Sequence, residues 1–336
     1  MRYELTDLKL FLEIAQAGNL SAGAAAVHIT APSASYRLKN LEQGLNTTLF
    51  ERNPRGMSLT PAGARSSRTS VSRKCEARSM TSAPTFAHAQ VALDAQGVAT
   101  VTVQNAGTLN ILGSPVIADL TRAVQGLSAR DELRAVVLRG TGDKAFVAGA
   151  DIKEMGALTP QSARAFIDGL RELCESVRHC PVPVIARIPG WALGGGLELA
   201  AACDIRVAAN RAQFGMPEVK VGIPSIIHAA LLPRLIGQAR AGWLLLTGQN
   251  IDAAQALQWG LVDVVVAPDR LDDEVARLAT HFAALGPQVL RQQKRLLRQW
   301  QETDLDTAIQ RGVDEFSAAF ATGEPARFMA PFMNRP

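Results

Sequence analysis

The stretch Trp191-Ala-Leu-Gly-Gly-Gly-Leu-Glu-Leu-Ala-Ala-Ala202 decides the fold of most of this chain. It follows the apolar run Val184 to Ile188, which predicts a buried strand. Its three glycines let the backbone approach a ligand and leave N–H groups uncovered by side chains. The next six residues are good helix formers, so we expect a helix to begin near Gly195. Free N–H groups at such a helix N-terminus favour a bound anion.

A glutamate stands close to this expected anion site. Glu198 lies three residues after Gly195, which places both on one face of the first helical turn. An isolated glycine triplet is more often a flexible loop, and a first-turn glutamate is more often a surface residue. A second stretch, Lys144-Ala-Phe-Val-Ala-Gly-Ala-Asp-Ile-Lys-Glu-Met155, again runs from a strand into a glycine turn. Two such stretches favour a ligand site over the simpler interpretation.

Four segments of this region resemble the crotonase family of enoyl-CoA hydratases and isomerases. They are Phe146-Val-Ala-Gly-Ala-Asp-Ile-Lys-Glu-Met155, Gly194-Gly-Gly-Leu-Glu198, Cys203-Asp-Ile-Arg-Val207 and Gln213-Phe-Gly-Met-Pro-Glu218. The resemblance extends over about residues 84–336. It implies a crotonase spiral of ββα turns over 84–270 and a helical region over 271–336 that assembles trimers, often hexamers. Alternating strand and helix patterns also indicate an α/β body.

The resemblance further implies the chemistry. An acyl-CoA thioester gains negative charge on its carbonyl oxygen as it reacts, and two backbone N–H donors stabilise that oxyanion. By resemblance these donors are the amides of Ala150 and Gly195. Hydration also needs one carboxylate to activate water and a second acid to protonate the α-carbon. The family's two glutamates match Glu198, assigned to the water, and Glu218, assigned to the proton, although a loop salt bridge is an alternative for Glu218.

Substrate binding is assigned, again by resemblance, to neighbouring residues: Asp151, Ile152, Lys153 and Gly194. Lys153, Lys294 and Arg335 could meet the CoA phosphates or adenine, although exposed basic side chains are most often only solvated. Coenzyme A would arrive as part of the acyl-CoA substrate, so no separate cofactor is expected. Neither a metal-ligand cluster nor a nucleotide-binding GxGxxG motif stands out in the sequence.

One segment departs from the family pattern. After Glu218, hydratases of the family usually carry a glycine-rich segment that ends in Gly-Gly-Thr. Here Val219-Lys-Val-Gly-Ile-Pro-Ser-Ile-Ile-His-Ala-Ala230 stands in its place and is bulkier. Since this segment shapes the water and acyl pocket, the acyl preference and the choice between hydration and isomerisation stay open. His228 could be a catalytic addition, with a packed or surface histidine as the alternative.

The first 83 residues have a different character. They contain eleven Lys and Arg against six Asp and Glu, whereas the whole chain has a net charge of only +4. A helical stripe that ends at Gly18, a short alanine-rich helix over Ser21 to Val27 and a third helix capped by Thr30 are predicted. The basic turn Arg52-Asn-Pro-Arg-Gly56 would be a wing over phosphates. The pattern fits a small all-α winged helix-turn-helix domain, with a protein-docking module as the alternative.

The front of the chain resembles the DNA-binding domain of LysR-type regulators over about residues 1–63. The segments Phe11-Leu-Glu-Ile-Ala-Gln-Ala-Gly18 and Leu59-Thr-Pro-Ala-Gly63 contribute to the resemblance. Ala31 stands where that family usually has a glutamine, and the family's dimerisation helix and effector domain do not follow. The alternative function is a regulator whose crotonase body senses acyl-CoA. Candidate DNA contacts are Ser33, Tyr36, Arg37, Arg52 and Arg55.

Length and composition limit the possible domain organisation and cellular location of the protein. The 336 residues suggest two domains, and 47% hydrophobic residues are ample for a large core. Four cysteines without a CxxC pair indicate reduced thiols in a cytoplasm. Neither a membrane span nor a signal peptide is apparent. Residues 64–83 are rich in serine and arginine and read as a disordered basic linker. Because Met80 lies within it, we expect a truncated regulator joined to an intact enzyme by gene fusion or a reading-frame error.

Overall fold

The computed structural model describes residues 10–60, with gaps at 12, 16, 28, 45–46 and 54–55, and residues 85–333. The chain divides into two compact units, residues 1–84 and 85–336. The predicted linker over 64–83 lies outside the described residues.

The first unit packs short helices around one apolar cluster. Helical residues within 10–17 end at Gly18, which adopts a φ of +62°, and its amide donates to the Ile14 carbonyl. Asn19 then caps helix α1, Leu20–Ala26, through its side chain. Helix α2, Ala31–Gly44, follows Thr30, whose hydroxyl accepts from the Ser33 amide. These boundaries agree with those expected from the sequence.

The predicted wing is a β-hairpin. Strand β1, Phe50–Asn53, pairs antiparallel with β2, Gly56–Leu59. The first unit therefore adds a two-stranded sheet to its helices. The ring of Phe50 lies 5.3 Å from that of Phe11, so the hairpin packs on the helical core. Buried apolar residues form this core: Leu10, Phe11, Ile14, Ala24, Ala34, Leu38, Leu41, Leu49 and Phe50.

The second unit is built on two sheets. The larger has six strands in the order β12-β9-β7-β5-β4-β3, all parallel except for the β3–β4 pair. Its strands are β3 Ala89–Leu93, β4 Val98–Val103, β5 Ala135–Gly140, β7 Val184–Ile188, β9 Ile205–Ala209 and β12 Val264–Val266. The smaller sheet has the order β11-β10-β8-β6, with strands β6 Ala145–Val147, β8 Trp191–Leu193, β10 Gln213–Gly215 and β11 Ile251–Asp252.

Successive strands alternate between the two sheets. The chain passes from β5 to β6, from β7 to β8 and from β9 to β10, each time from the larger sheet to the smaller. Helices follow the first two of these pairs, which gives turns of a ββα spiral. The smaller sheet therefore aligns β6, β8 and β10 side by side and parallel. The spiral implied by the family resemblance is present.

Helices cover the sheets and form the C-terminal region. They are α3 Ser114–Ser128, α4 Ile152–Met155, α5 Pro160–Arg178, α6 Gly195–Ala202, α7 Leu232–Ile236, α8 Gln238–Thr247, α9 Ala253–Trp259, α10 Leu271–Ala284, α11 Pro287–Trp300, α12 Leu305–Phe320 and α13 Glu324–Met333. Short 3-10 turns lie at Pro217–Val221, Ile227–Leu231 and Pro268–Arg270. Thr159 and Ser162 form a reciprocal capping box at the start of α5.

The C-terminal helices differ slightly from the expected ones. Helices predicted at 272–285, 288–301 and 304–321 begin and end within one residue of α10, α11 and α12. Helix α13 was not predicted. Its Glu324 accepts from the amides of Gln288 and Val289, so a side chain of the last helix caps the N-terminus of α11. Helix α10 packs on the larger sheet through Leu271 and Val275.

Candidate active site

The glycine triplet lies where β8 turns into α6. Gly194 adopts a φ of +52° and precedes the helix, which begins at Gly195. A Cβ added to Gly194 would lie 2.3 Å from Glu218 Oε1, and one added to Gly196 would lie 2.1 Å from the Val147 carbonyl oxygen. The triplet is therefore a close-packing turn, because two of its positions leave no space for a side chain. A flexible loop does not describe it.

The second glycine turn, which follows β6, contains another candidate donor, the backbone amide of Ala150. Gly149 has a φ of +113°, and the next residue, Ala150, forms an isolated parallel bridge with Leu112. Leu112 bonds to Gly149 and Asp151, which leaves the Ala150 amide unused. Within the described residues, neither this amide nor that of Gly195 donates to a protein acceptor. Each follows a glycine with positive φ at the end of β6 or β8.

Burial governs the charge of Glu198. The residue is 4% exposed, and its Oε1 accepts from the Ala229 amide at 2.9 Å. Burial raises the pKa of Glu198 to about 8; the Ala229 hydrogen bond opposes this rise and the nearby Glu218 adds to it. This raised pKa favours the protonated form of the Glu198 carboxyl group at neutral pH.

Glu218 lies opposite, on the 3-10 turn Pro217–Val221 that follows β10. It is half-buried, and the Ser225 hydroxyl donates to its Oε2 at 2.8 Å. This interaction leaves Oε1 beside Gly194. Sequence reasoning did not single out Ser225. Its only signal was its place in the segment that departs from the family pattern.

One cavity of about 840 Å³ contains these groups. It is lined by Ala150, Gly195, Glu198 and Glu218 and by apolar side chains from α5 and the segment after Glu218. Ala150, Gly195 and Glu218 follow β6, β8 and β10, and the C-terminal ends of adjacent parallel strands meet at one sheet edge. The arrangement can stabilise an oxyanion with two N–H donors and move protons with two carboxyl groups.

Comparison with known proteins identifies the family. The profile of "Enoyl-CoA hydratase/isomerase" matches residues 94–334, most of the chain. The chain belongs to the enoyl-CoA hydratase/isomerase family. Residues 5–64 match the bacterial regulatory helix-turn-helix profile of the lysR family, so the DNA-binding type of domain expected in front of the enzyme is also present.

Individual members of the enoyl-CoA hydratase/isomerase family are similar over nearly their whole length. A short-chain-enoyl-CoA hydratase from Clostridium acetobutylicum is 35% identical over 247 residues, 73% of this chain and 95% of that protein. A crotonyl-CoA hydratase from Syntrophomonas wolfei is 36% identical and covers 68% and 88%. The crystal structure of an enoyl-CoA hydratase from Bacillus anthracis matches with a TM-score of 0.70 at 32% identity, covering 73% of this chain and 96% of that one.

Four neighbouring residues were predicted to bind substrate. Ile152 and Gly194 line the cavity, and Ile152 is well exposed there. Asp151 does not line it, because its side chain accepts from the Lys153 and Glu154 amides and caps α4. Lys153 is exposed and is also absent from the cavity lining.

Lys294 is not available to CoA phosphates. It is buried, and its Nζ donates to the Val182 carbonyl at 2.9 Å and to Asp204 Oδ2 at 2.6 Å. The suggestion that it meets CoA is wrong for that reason, because the side chain ties α11 to the spiral instead. Arg335 lies outside the described residues.

His228 is a packed residue in the segment after Glu218. It is 5% exposed, and its Nε2 lies 3.0 Å from Glu175 Oε1 on α5. Burial lowers its pKa, although the charge of Glu175 opposes that effect. It does not line the substrate cavity. Of the two interpretations open from the sequence, the packed histidine is the one that agrees with this geometry.

The candidate DNA contacts are only partly described. On α2, Tyr36 is 69% exposed, while Ser33 and Arg37 are half-buried. Arg52 belongs to β1, but the described structure does not include its side chain, and Arg55 lies outside the described residues. Of the candidate side chains that the structure describes, Tyr36 is the most exposed.

Two further kinds of site are absent from the described residues of 10–60 and 85–333. No group of three or more His, Cys, Asp or Glu side chains there could hold a metal ion. Likewise, none of the helices in those ranges is both long and apolar enough to cross a membrane.

Proposed function

We infer that this chain is an enoyl-CoA hydratase of the crotonase superfamily, which adds water to a 2-enoyl-CoA thioester. One observation carries the inference: two carboxyl groups and two unpaired amides line one largely apolar cavity. Similar proteins named as hydratases support it. Coenzyme A enters as part of the substrate, and no step requires a separate cofactor.

The two amides hold the thioester oxygen. Negative charge develops there during addition. The N–H groups of Ala150 and Gly195 are held in turns at the ends of β6 and β8, so they need no reorganisation to stabilise that charge. Their surroundings are apolar, which strengthens the interaction. Gly194 and Ile152 border the same space and contact the acyl thioester.

The two glutamates divide the proton transfers. Glu198 orients and activates the water, and Glu218 delivers the proton to the α-carbon. The reaction needs one ionised and one protonated carboxyl group. Because the pKa of Glu198 is raised, its carboxyl group is the one that holds the proton at neutral pH. For these roles that proton passes from Glu198 to Glu218 before addition.

A spectrophotometric assay tests this function. Purified protein is mixed with crotonyl-CoA, and loss of the enoyl thioester absorbance is followed. Hydration predicts a 3-hydroxyacyl-CoA product with one added oxygen, measured by mass spectrometry. A 3-enoyl-CoA that is converted to the 2-enoyl isomer without added oxygen would show that isomerisation is the main activity.

The C-terminal helices support an assembly of enzyme subunits. Helix α12 exposes Ile309, Val313, Phe316 and Phe320 along its length. We propose that this face forms a homotrimer or hexamer, because a large apolar surface marks an association site. Light scattering of the purified protein distinguishes these states from a monomer. Three buried free thiols support a reducing compartment, the cytoplasm.

The N-terminal domain suggests a second, weaker activity. Its match to the lysR-family profile favours DNA binding, with Ser33, Tyr36, Arg37, Arg52 and Arg55 as contacts. We propose that it binds weakly and mostly through phosphates, since the first 83 residues are basic and Ala31 lacks a polar group for DNA. A regulator whose enzyme body senses acyl-CoA is the competing function.

A further inference from the structure

The segment that departs from the family pattern contacts both glutamates. Ser225 donates to Glu218, and the Ala229 amide donates to Glu198. These donors are four residues apart on one stretch of backbone. The position of that stretch therefore sets the orientation of both carboxyl groups.

The backbone between the two donors is strained. Ile227 adopts a φ of +46°, and the other described non-glycine residues with positive φ are Asn105 and Asn110. Asparagine tolerates this conformation, whereas a β-branched residue rarely adopts it. Such a conformation persists only where surrounding contacts hold it. Something must therefore fix the 3-10 turn Ile227–Leu231.

His228 supplies a side-chain contact that ties this turn to α5. Its Nε2 lies 3.0 Å from Glu175 Oε1, and Glu175 is also held by Arg178 at 2.9 Å. Burial opposes ionisation of Glu175, but the charge and the hydrogen bond of Arg178 outweigh it and lower its pKa. Glu175 is thus an acceptor, and His228, kept neutral by burial, donates from Nε2. That tautomer leaves Nδ1 as an unprotonated acceptor, and Nδ1 has no partner in the described structure.

We propose that His228 is a positioning residue, whose hydrogen bond to Glu175 holds the strained turn so that the Ala229 amide stays on Glu198. The proposal rests on the hydratase function inferred above. The proposal also explains the bulky segment, because its contact with Glu175 on α5 fixes the position of the turn.

The chain offers a matched control. His179 Nδ1 lies 2.9 Å from the other oxygen of Glu175, but this residue follows α5, is 51% exposed and does not belong to the turn. Removing either histidine costs Glu175 one partner. Only the loss of His228 releases the turn.

The experiment compares full-length H228L, H228Q, E175A and H179A with wild type. We expect H228L and E175A to lower kcat about 10- to 100-fold with KM within about 3-fold, since small misplacements of catalytic groups have effects of this size. H228Q keeps an N–H donor of similar reach and should recover most of the loss. H179A should match wild type.

A pH profile separates positioning from general damage. The Ala229 hydrogen bond lowers the pKa of Glu198, and the ionisable groups that face Glu198 are Glu218 and the buried Cys174. Losing the Ala229 contact should therefore move the alkaline limb of kcat/KM to higher pH in H228L. H179A should leave this limb in place.

Hydrogen exchange measured by mass spectrometry adds a readout that needs no activity. Peptides covering 227–231 should exchange faster in H228L and E175A than in H179A or wild type. Wild-type turnover and exchange in H228L and E175A would overturn the proposal, as would H228Q behaving like H228L. If the wild type hydrates no enoyl-CoA, the proposed function fails, and the exchange comparison still decides whether His228 anchors the turn.

Discussion

At the scale of single residues, the two glutamates differ in environment although both face one cavity. Glu198 is buried and accepts one hydrogen bond from a backbone amide. Glu218 is half-buried and accepts a hydrogen bond from a side-chain hydroxyl. Such a difference lets two identical side chains hold different protonation states.

The first prediction concerns turnover. E198Q and E218Q should each lower kcat by roughly 10²-fold or more, because each removes an acid–base group while keeping its shape. Binding of a saturated acyl-CoA, measured by calorimetry, should survive. The exposed Glu172, changed to glutamine, serves as a control with normal turnover. Two active glutamine variants would contradict the two-glutamate mechanism.

The second prediction concerns stability and pH. Below about pH 4.5, Glu198 is protonated in the folded and unfolded states. Between that pH and about 8 only the unfolded state ionises, so the wild type loses free energy of unfolding as pH rises, and above 8 the loss is complete. Glutamine does not ionise. E198Q should therefore be more stable than wild type by about 5 kcal/mol near pH 9 and nearly equal near pH 4.

Urea titrations of both proteins at several pH values measure this difference. A stability gap that stays constant with pH would mean that Glu198 ionises normally in the folded protein.

At the scale of elements, the junction of β8 and α6 places one of the two donors, the Gly195 amide, and the glycines of this junction are not equivalent. An added Cβ at Gly196 meets the Val147 backbone, whereas one at Gly195 meets the end of the Leu170 side chain at 2.9 Å. A side-chain end can move, but a backbone carbonyl in a sheet cannot.

The third prediction follows from that difference. G196A should lower the free energy of unfolding by about 3 kcal/mol and abolish turnover, because it overpacks against fixed backbone. G195A should fold with a smaller loss. G126A is the control, since its added methyl group meets nothing within 4 Å on helix α3, and it should gain about 0.5–1 kcal/mol. Equal unfolding midpoints for G196A and G195A would refute this ranking.

Local patterns predicted the helix that begins at Gly195 and the strand before it, because glycine and apolar runs act over a few residues. The spiral came only from family resemblance, since its turns share geometry without a sequence repeat. Contacts between residues that are far apart in the sequence were not predicted. Ala229 meets Glu198 from 31 residues away, and a positive φ at Ile227 runs against local propensity. Lys294 looked like a surface lysine because its partner Asp204 lies 90 residues earlier.

At the scale of the whole molecule, the chain joins two units with separate cores. The enzyme unit contains every group assigned to the hydratase reaction. Its activity should therefore not depend on the front unit.

The fourth prediction tests that independence. Deleting residues 1–79 should leave enoyl-CoA turnover intact and remove DNA binding. The full chain should bind DNA weakly, with affinity that falls steeply as salt rises and barely depends on sequence. A gel-shift titration near physiological salt measures this. Nanomolar, sequence-selective binding would instead favour the regulator function, although a three-fold assembly does not match a two-fold operator.

The alternation of strands between two sheets has a consequence for how such a chain changes length over evolution. Ala150 and Gly195 follow neighbouring parallel strands, which lie ~4.8 Å apart in any sheet. The hydrogen bonds between these two strands therefore fix the distance between the two amide donors. Insertions between α4 and α5, where Leu158 and Thr159 line the cavity, can reshape the acyl cavity without changing that spacing. One extra residue between Val147 and Ala150 would displace a donor, so substrate range can diverge while the oxyanion site stays fixed.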